Sequence, residues 1–201
     1  MFTKSNTNHF NIGCAEVFVA QFDGAAEVKP VEPLIRQRLI EQTTDPQLKR
    51  QRYCVWLLLD YALRSTVGKG VDELSFDLDG NGKWICDGGV CFSLSHSEDV
   101  VAVAVSDRNV GIDVEALDES RFNARLARRI LTSSESVAFG ELPVRQQSQW
   151  LAEAWAKKES LFKRDGGNAF APNAVDSTVC NNVCCRVVSF GKRRYVVAVA
   201  N

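Results

Sequence analysis

Asp113 and Glu115 stand two apart in the segment Gly111-Ile112-Asp113-Val114-Glu115, and Glu159, in the later segment Trp155-Ala156-Lys157-Lys158-Glu159-Ser160, stands four before Lys163. In an extended strand, residues two apart share a face, so the two acids point the same way while Val110, Ile112 and Val114 point the other. On a helix, residues four apart are neighbours along one side, which stacks Glu159 on Lys163. Taken singly, each pair has a plain structural explanation. The strand acids can be a solvated face, and the helical pair an ordinary surface ion pair worth ~0.3–0.5 kcal/mol. Taken together, three carboxylates and a lysine are the donors a hard divalent cation needs when it holds a phosphate. His96 adds to this. It lies in Ser93-Leu94-Ser95-His96-Ser97, where a strand ends and a hairpin turns, and where hydroxyls, an imidazole and loop amides can form an anion site.

The elements that position these groups are legible in outline. Asp45 before Pro46 predicts a helix start, with a cap followed by proline at the first helical position. That helix runs through LKRQRYCVWLLLDYALRSTV and stops at Gly68. A second helix spans roughly 146–163, with Leu151, Ala154, Trp155 and Phe162 as its buried stripe, and ends at Asp165-Gly166-Gly167. Each helix precedes a hairpin, VCFSLS with VVAVAVS in the first half and CCRVVSF with YVVAVAN in the second. The string Val100-Val101-Ala102-Val103-Ala104 recurs as Val196-Val197-Ala198-Val199-Ala200. Helix then hairpin, twice, predicts an α+β fold of two similar α/β halves, residues 1–106 and 107–201, each a long helix packed on a small antiparallel sheet. Residues 77–84, DLDGNGKW, read as a loop or hairpin tip. Thr132-Ser133-Ser134-Glu135 is a capping-box pattern that opens another helix. Arg121, Arg125, Arg128 and Arg129 fall at helical spacing and predict one cationic helix face, solvated or a docking surface for an acidic partner.

A net charge of -1 gives no global field toward nucleic acid or an anionic membrane. No window approaches the ~18 apolar residues of a membrane span, and the start MFTKSNTNHFNIG lacks the apolar region of a secretion signal. Seven scattered cysteines are an odd set, which points to reduced thiols and a cytoplasmic protein. Cys180, Cys184 and Cys185 lack the spacing of a zinc knuckle.

The ordered set FSLSHS at 92–97, GIDVE at 111–115 and WAKKES at 155–160 followed by Lys163 resembles the 4′-phosphopantetheinyl transferases of the Sfp type. Those enzymes carry F-N-[IL]-S-H-S, G-[IV]-D-[IVL]-E and W-x-x-K-E-[SA] segments in that order, on a pseudo-dimer of two α/β halves. The resemblance implies transfer of phosphopantetheine from coenzyme A to a serine of an apo acyl or peptidyl carrier protein, with release of 3′,5′-ADP. It implies that Asp113, Glu115 and Glu159 hold Mg²⁺ against the diphosphate, that Glu159 is the general base and that Lys163 steadies the leaving group. Ser95 and His96 would contact coenzyme A phosphate, and the loop at Gly82-Lys83 would meet the nucleotide. The carrier would dock on the Arg121–Arg129 segment, and an internally paired chain would close its site as a monomer. This sequence departs from the family at three places. Trp84 follows Gly82-Lys83 where proline is usual, Ser93 stands where asparagine is common, and the helix interior Val55-Trp56-Leu57-Leu58-Leu59 lacks an arginine, leaving Arg52 as the nearest substitute. Two other classes stay open: a Mg²⁺-dependent phosphohydrolase, which also clusters carboxylates, and a catalytically silent module that binds coenzyme A or a carrier.

Overall fold

A computed structural model describes residues 2–167 and 169–201. The described residues form three antiparallel sheets. The first has the order β1-β2-β6-β5, from β1 (Thr7–Ile12), β2 (Ala15–Gln21), β5 (Cys91–Ser97) and β6 (Val100–Ser106). The short hairpin of β3 (Phe76–Leu78) and β4 (Trp84–Cys86) is the second, and β7 (Gly111–Ala116), β9 (Arg193–Ala200) and β8 (Val183–Phe190) form the third in the order β7-β9-β8. The helices are α1 (Leu34–Glu41), α2 (Pro46–Thr66), α3 (Ala124–Ile130), α4 (Ser133–Glu141) and α5 (Val144–Asp165).

The two larger sheets lie face to face over an apolar seam that includes Val17, Val19, Ala102, Ala104, Ile112, Val114, Val197 and Val199. The outer face of the first sheet packs on α2 through Phe18, Val101, Val103, Trp56, Leu59 and Leu63. The outer face of the third packs on α5 through Val196, Ala198, Leu151 and Ala154, with α3 beside it. The order across the molecule is therefore helix, sheet, sheet, helix. The boundary expected at 106/107 falls between β6 and β7. Because the seam is buried on both sides, neither half has a self-sufficient surface.

Local chemistry explains the elements. Asp45 caps α2 by accepting the Leu48 amide at 2.7 Å, with Pro46 in the first turn. Thr132 and Glu135 make a full capping box on α4. The 77–84 segment is a hairpin tip between β3 and β4, as its composition predicts.

Three expectations need correction, and one part of the fold is new. The N-terminal hairpin β1-β2 and helix α1 were not foreseen. The halves differ in strand number, six against three, with four and three strands in their main sheets. The five-residue repeat is not a structural one: Val100, Ala102 and Ala104 face the seam, whereas their counterparts Val196 and Ala198 face α5. Finally, α3 starts at Ala124 behind the cap Asn123, so Arg121 lies outside it and does not share a helix face with Arg125, Arg128 and Arg129.

Candidate functional site

The site forms where β5 of the first sheet meets β7 of the third. These strands make no common backbone ladder. Serine hydroxyls join them instead. Ser93, Ser95 and Ser97 alternate along β5, and their Oγ atoms accept the amides of Ile112 at 3.1 Å, Val114 at 3.2 Å and Ala116 at 3.1 Å. The same hydroxyls donate to the acids of β7: Ser95 to Asp113 Oδ1 at 2.8 Å, and Ser97 to Glu115 Oε2 at 3.3 Å. Asp113 and Glu115 are only 3% and 5% exposed, so the solvated-face explanation fails.

Helix α5 brings Glu159 and Lys163 to the same place. It crosses β7 so closely that a Cβ on Gly111 would fall 1.9 Å from the Ser160 carbonyl oxygen. Only glycine permits that approach. Lys163 Nζ donates to Asp113 Oδ1 at 2.6 Å and to Ser95 Oγ at 3.1 Å, and lies 3.4 Å from Glu159 Oε2. Arg121 forks onto Glu115, Nη1 to Oε2 at 2.5 Å and Nη2 to Oε1 at 2.8 Å.

Crowding of buried acids sets the electrostatics. Burial, then the charge of Asp113, pushes the Glu115 carboxyl up to about 7 against the pull of Arg121. Burial and Asp113 also raise Glu159, with Lys163 opposing. Burial works against the Lys163 ammonium, but Asp113 and Glu159 outweigh it and hold it above its ordinary value. The lysine is thus a firm cation among acids.

Asp113, Glu115, Glu159, Lys163 and His96 line one cleft of about 440 Å³, with Gln47 and Gln51 of α2 on its far wall. At Lys163 and Leu94 this cleft meets an aromatic slot of about 240 Å³, walled by Gly82, Lys83, Trp84, Phe92 and Phe162. The slot sits between the β3-β4 tip and the end of α5. Lys83 does not offer its ammonium to it. Nζ is held by Asn109 Oδ1 at 2.6 Å and by the Arg164 and Val110 carbonyls at 3.2 and 3.3 Å, so it clasps the tip to the end of α5.

Ser95 is likewise committed to the protein. Its one O–H goes to Asp113 and its lone pairs take Val114 N–H and Lys163, which leaves no capacity for a phosphate. His96 points to the other side of β5, toward positive charge. Burial, then Lys163, Arg52 and Arg36, push its imidazole down to about 4, so it is neutral at pH 7. Arg52 Nη1 is steadied by Thr43 Oγ1 at 2.8 Å.

Sequence reasoning missed Arg36. It is 6% exposed, its guanidinium stacks 4.9 Å from the Trp56 ring and 5.7 Å from Trp84, and its Nε is buried without a partner. Nothing in LIRQRLIE separates Arg36 from Arg38, since both tryptophans that receive it are remote in sequence. In the sequence, Lys158 stands out only as part of the WAKKES segment. It is fully buried and donates to Glu135 Oε2 at 2.5 Å, Ile130 O at 2.7 Å and Pro172 O at 2.8 Å, fixing α5 against α3, α4 and the loop behind them.

Among the described residues, no three acid, histidine or cysteine groups stand in an arrangement that could hold a metal ion. Lys163 and Arg121 sit on the carboxylates of Asp113 and Glu115. The donor set nevertheless fits a hard divalent ion. Asp113 Oδ2 is buried with no hydrogen-bond partner, and an unsatisfied buried carboxylate oxygen calls for a cation. All seven cysteines are free thiols, and no helix among the described residues is long and apolar enough to cross a membrane.

Residues 109–187 match the family model described as ACPS, the 4′-phosphopantetheinyl transferase superfamily. The 4′-phosphopantetheinyl transferase AcpT of Escherichia coli is 36% identical over 89 residues, covering 43% of this chain and 45% of its own. HetI of a Nostoc species, also named a 4′-phosphopantetheinyl transferase, is 32% identical over 114 residues, 52% of this chain and 48% of its own. The 4′-phosphopantetheinyl transferase psf-1 of Bacillus pumilus is 28% identical over 112 residues, 55% and 47% of the two chains. The chain spans about half the length of the curated relatives it matches. These matches support a phosphopantetheinyl transferase family, as the motifs imply. The family-model match takes in Asp113, Glu115, Glu159 and Lys163 but not His96, Arg52 or Arg36.

Proposed function

We propose that this chain, similar to phosphopantetheinyl transferases over its second half, moves the 4′-phosphopantetheine of coenzyme A onto a serine of an apo carrier protein and releases 3′,5′-ADP. The observation that carries the reading is the convergence of two strand acids, a helical acid and Lys163 on one cleft, with Asp113 Oδ2 buried and without a hydrogen-bond partner. Asp113 and Glu159, with Glu115 once freed from Arg121, would hold Mg²⁺. That ion would supply charge neutralisation on the diphosphate.

The rest is work for the chain's own residues. The serine Oγ of the carrier attacks the β-phosphorus, and the bond from that phosphorus to the bridging oxygen breaks, leaving 3′,5′-ADP. Glu159 takes the hydroxyl proton. Burial and the charge of Asp113 raise its carboxyl, which strengthens its hold on a proton. Lys163 meets the negative charge that builds on the departing phosphate, and it is the one cationic side chain shared by the cleft and the slot. Ser95 and Ser97 hold the strand acids in place rather than touching the substrate. His96, being neutral, would give a phosphate a hydrogen bond, while Arg36 and Arg52 behind it give the charge. The aromatic slot suits a flat ring or the pantetheine arm, and Gly82 and Lys83 would shape its rim through their backbone. The two-half arrangement of helix on sheet agrees with the pseudo-dimeric fold of the family. A chain that builds its site from both halves acts as a monomer in the cytoplasm on this reading.

The test is an intact-mass measurement of several apo carrier proteins incubated with the chain, Mg²⁺ and coenzyme A. A gain of one phosphopantetheine on a carrier supports the reading, and its loss with Asp113→Asn ties it to the cleft. Coenzyme A breakdown with unmodified carriers would make the chain a hydrolase instead. No change in either would leave a binding module.

A further inference from the structure

We infer that Lys163 and Arg121 are built-in counter-cations that a divalent ion has to displace, so that the ion loads together with a diphosphate and not ahead of it. This rests on the cleft being the metal and diphosphate site.

The argument starts from burial. Asp113 and Glu115 are nearly inaccessible, and ionised carboxylates in such a place must be neutralised. The fold does this with its own side chains. Lys163 bridges Asp113 and Glu159, at 2.6 and 3.4 Å. Arg121 occupies both oxygens of Glu115. After these pairings, Asp113 Oδ2 is the only carboxylate oxygen among the described residues that is buried and unpartnered. An ion arriving alone therefore meets two competing cations before it can take these acids.

Both competitors are able to leave. The Lys163 side chain is 28% exposed and the Arg121 side chain 47% exposed, and each is a long side chain with many rotatable bonds. A diphosphate changes the balance, because it offers Lys163 a stronger anion than Asp113. As the ammonium swings to the phosphate, Asp113 Oδ1 and Glu159 become free for the ion. Arg121 governs the third acid separately. It lies just before α3, so whatever binds that surface and draws the guanidinium outward releases Glu115 to the site.

The test is direct binding of Mn²⁺, followed by electron paramagnetic resonance, to the wild-type chain, Lys163→Met and Arg121→Gln. The wild type should bind Mn²⁺ weakly alone and more tightly with coenzyme A present. Each variant should bind Mn²⁺ alone roughly tenfold more tightly than wild type, equivalent to about 1.4 kcal/mol. Lys163→Met should gain little further from coenzyme A. Mn²⁺ affinity in both variants equal to or below that of wild type would overturn the inference. Adding Asp113→Asn to each variant separates this from the underlying reading. If tight Mn²⁺ binding survives that change, the ion is held elsewhere and the metal site itself is wrong.

Discussion

Replacing Gly111 with alanine tests whether α5 must lie against β7 for the site to exist. The added Cβ would sit 1.9 Å from Ser160 O and 2.5 Å from Arg164 N. Both are backbone atoms, so no side chain can turn aside. Restoring an ordinary separation near 3.4 Å requires the helix to retreat by about 1.5 Å. The clash falls on the residues that directly follow Glu159 and Lys163, and Gly111 is two residues from Asp113. A retreat of that size would stretch the 2.6 Å contact between Lys163 and Asp113 beyond hydrogen-bonding range. Overpacking of this kind costs about 1–3 kcal/mol. At roughly 2–4 °C per kcal/mol for a chain of this size, the melting temperature should fall by several degrees. Turnover should fall further, by about a hundredfold, since displacement of a catalytic group by ~1 Å has that effect. The assay is carrier modification under saturating coenzyme A beside a thermal melt. Wild-type turnover with an unchanged melting temperature would refute the claim that this close crossing sets the geometry. Loss of stability with full turnover would mean that Glu159 and Lys163 are positioned some other way.

Three further outcomes follow. Lys158→Ala strands Glu135 in the interior without its cation and should cost about 3–5 kcal/mol, read by denaturant unfolding; Lys158→Met with Glu135→Leu should recover part of it, and a loss below ~1 kcal/mol for the single change would contradict the pairing. His96 is held neutral, with its folded value at about 4 against 6.5 unfolded, so the unfolded chain takes up the proton first and stability is lost as pH falls from 6.5 toward 4. Glu115 contributes with the opposite sign between its unfolded 4.5 and about 7, so the comparison is His96→Gln against wild type: the variant should lose up to about 3 kcal/mol less over that window, and identical slopes would remove His96 from the charged cluster. Charge reversal at Arg125 and Arg128, both exposed on α3, should slow carrier modification about tenfold and flatten its salt dependence while leaving coenzyme A affinity unchanged; equal losses in both would exclude docking there.

What the sequence reveals and hides can be traced to particular residues. The acids of β7 and the Glu159–Lys163 pair were legible because strand and helix periods each place side chains in a fixed direction. Their burial was not, since it depends on β5 and α5 covering a face that alternation alone would leave to solvent. The Val100–Ala104 repeat misled for a related reason. A strand apolar on both faces carries no mark of which side is which, so a match of letters came with opposite facing. Lys83 and Ser95 have the right chemistry for a phosphate, yet their partners Asn109, Arg164 and Asp113 lie far along the chain and claim them first. Arg36 and the β1-β2 hairpin stayed hidden because their partners, two tryptophans and β6, are likewise distant.

The serine rungs between β5 and β7 carry a consequence for how the molecule can come apart. Hydroxyl donors from one half orient the acids of the other, so neither half owns the reactive groups in working order. A cut in the turn near residue 107 would leave two pieces with every ladder within their sheets intact and no assembled centre. The cleft is a property of the closed joint, so the turnover proposed for it would report whether the halves are docked.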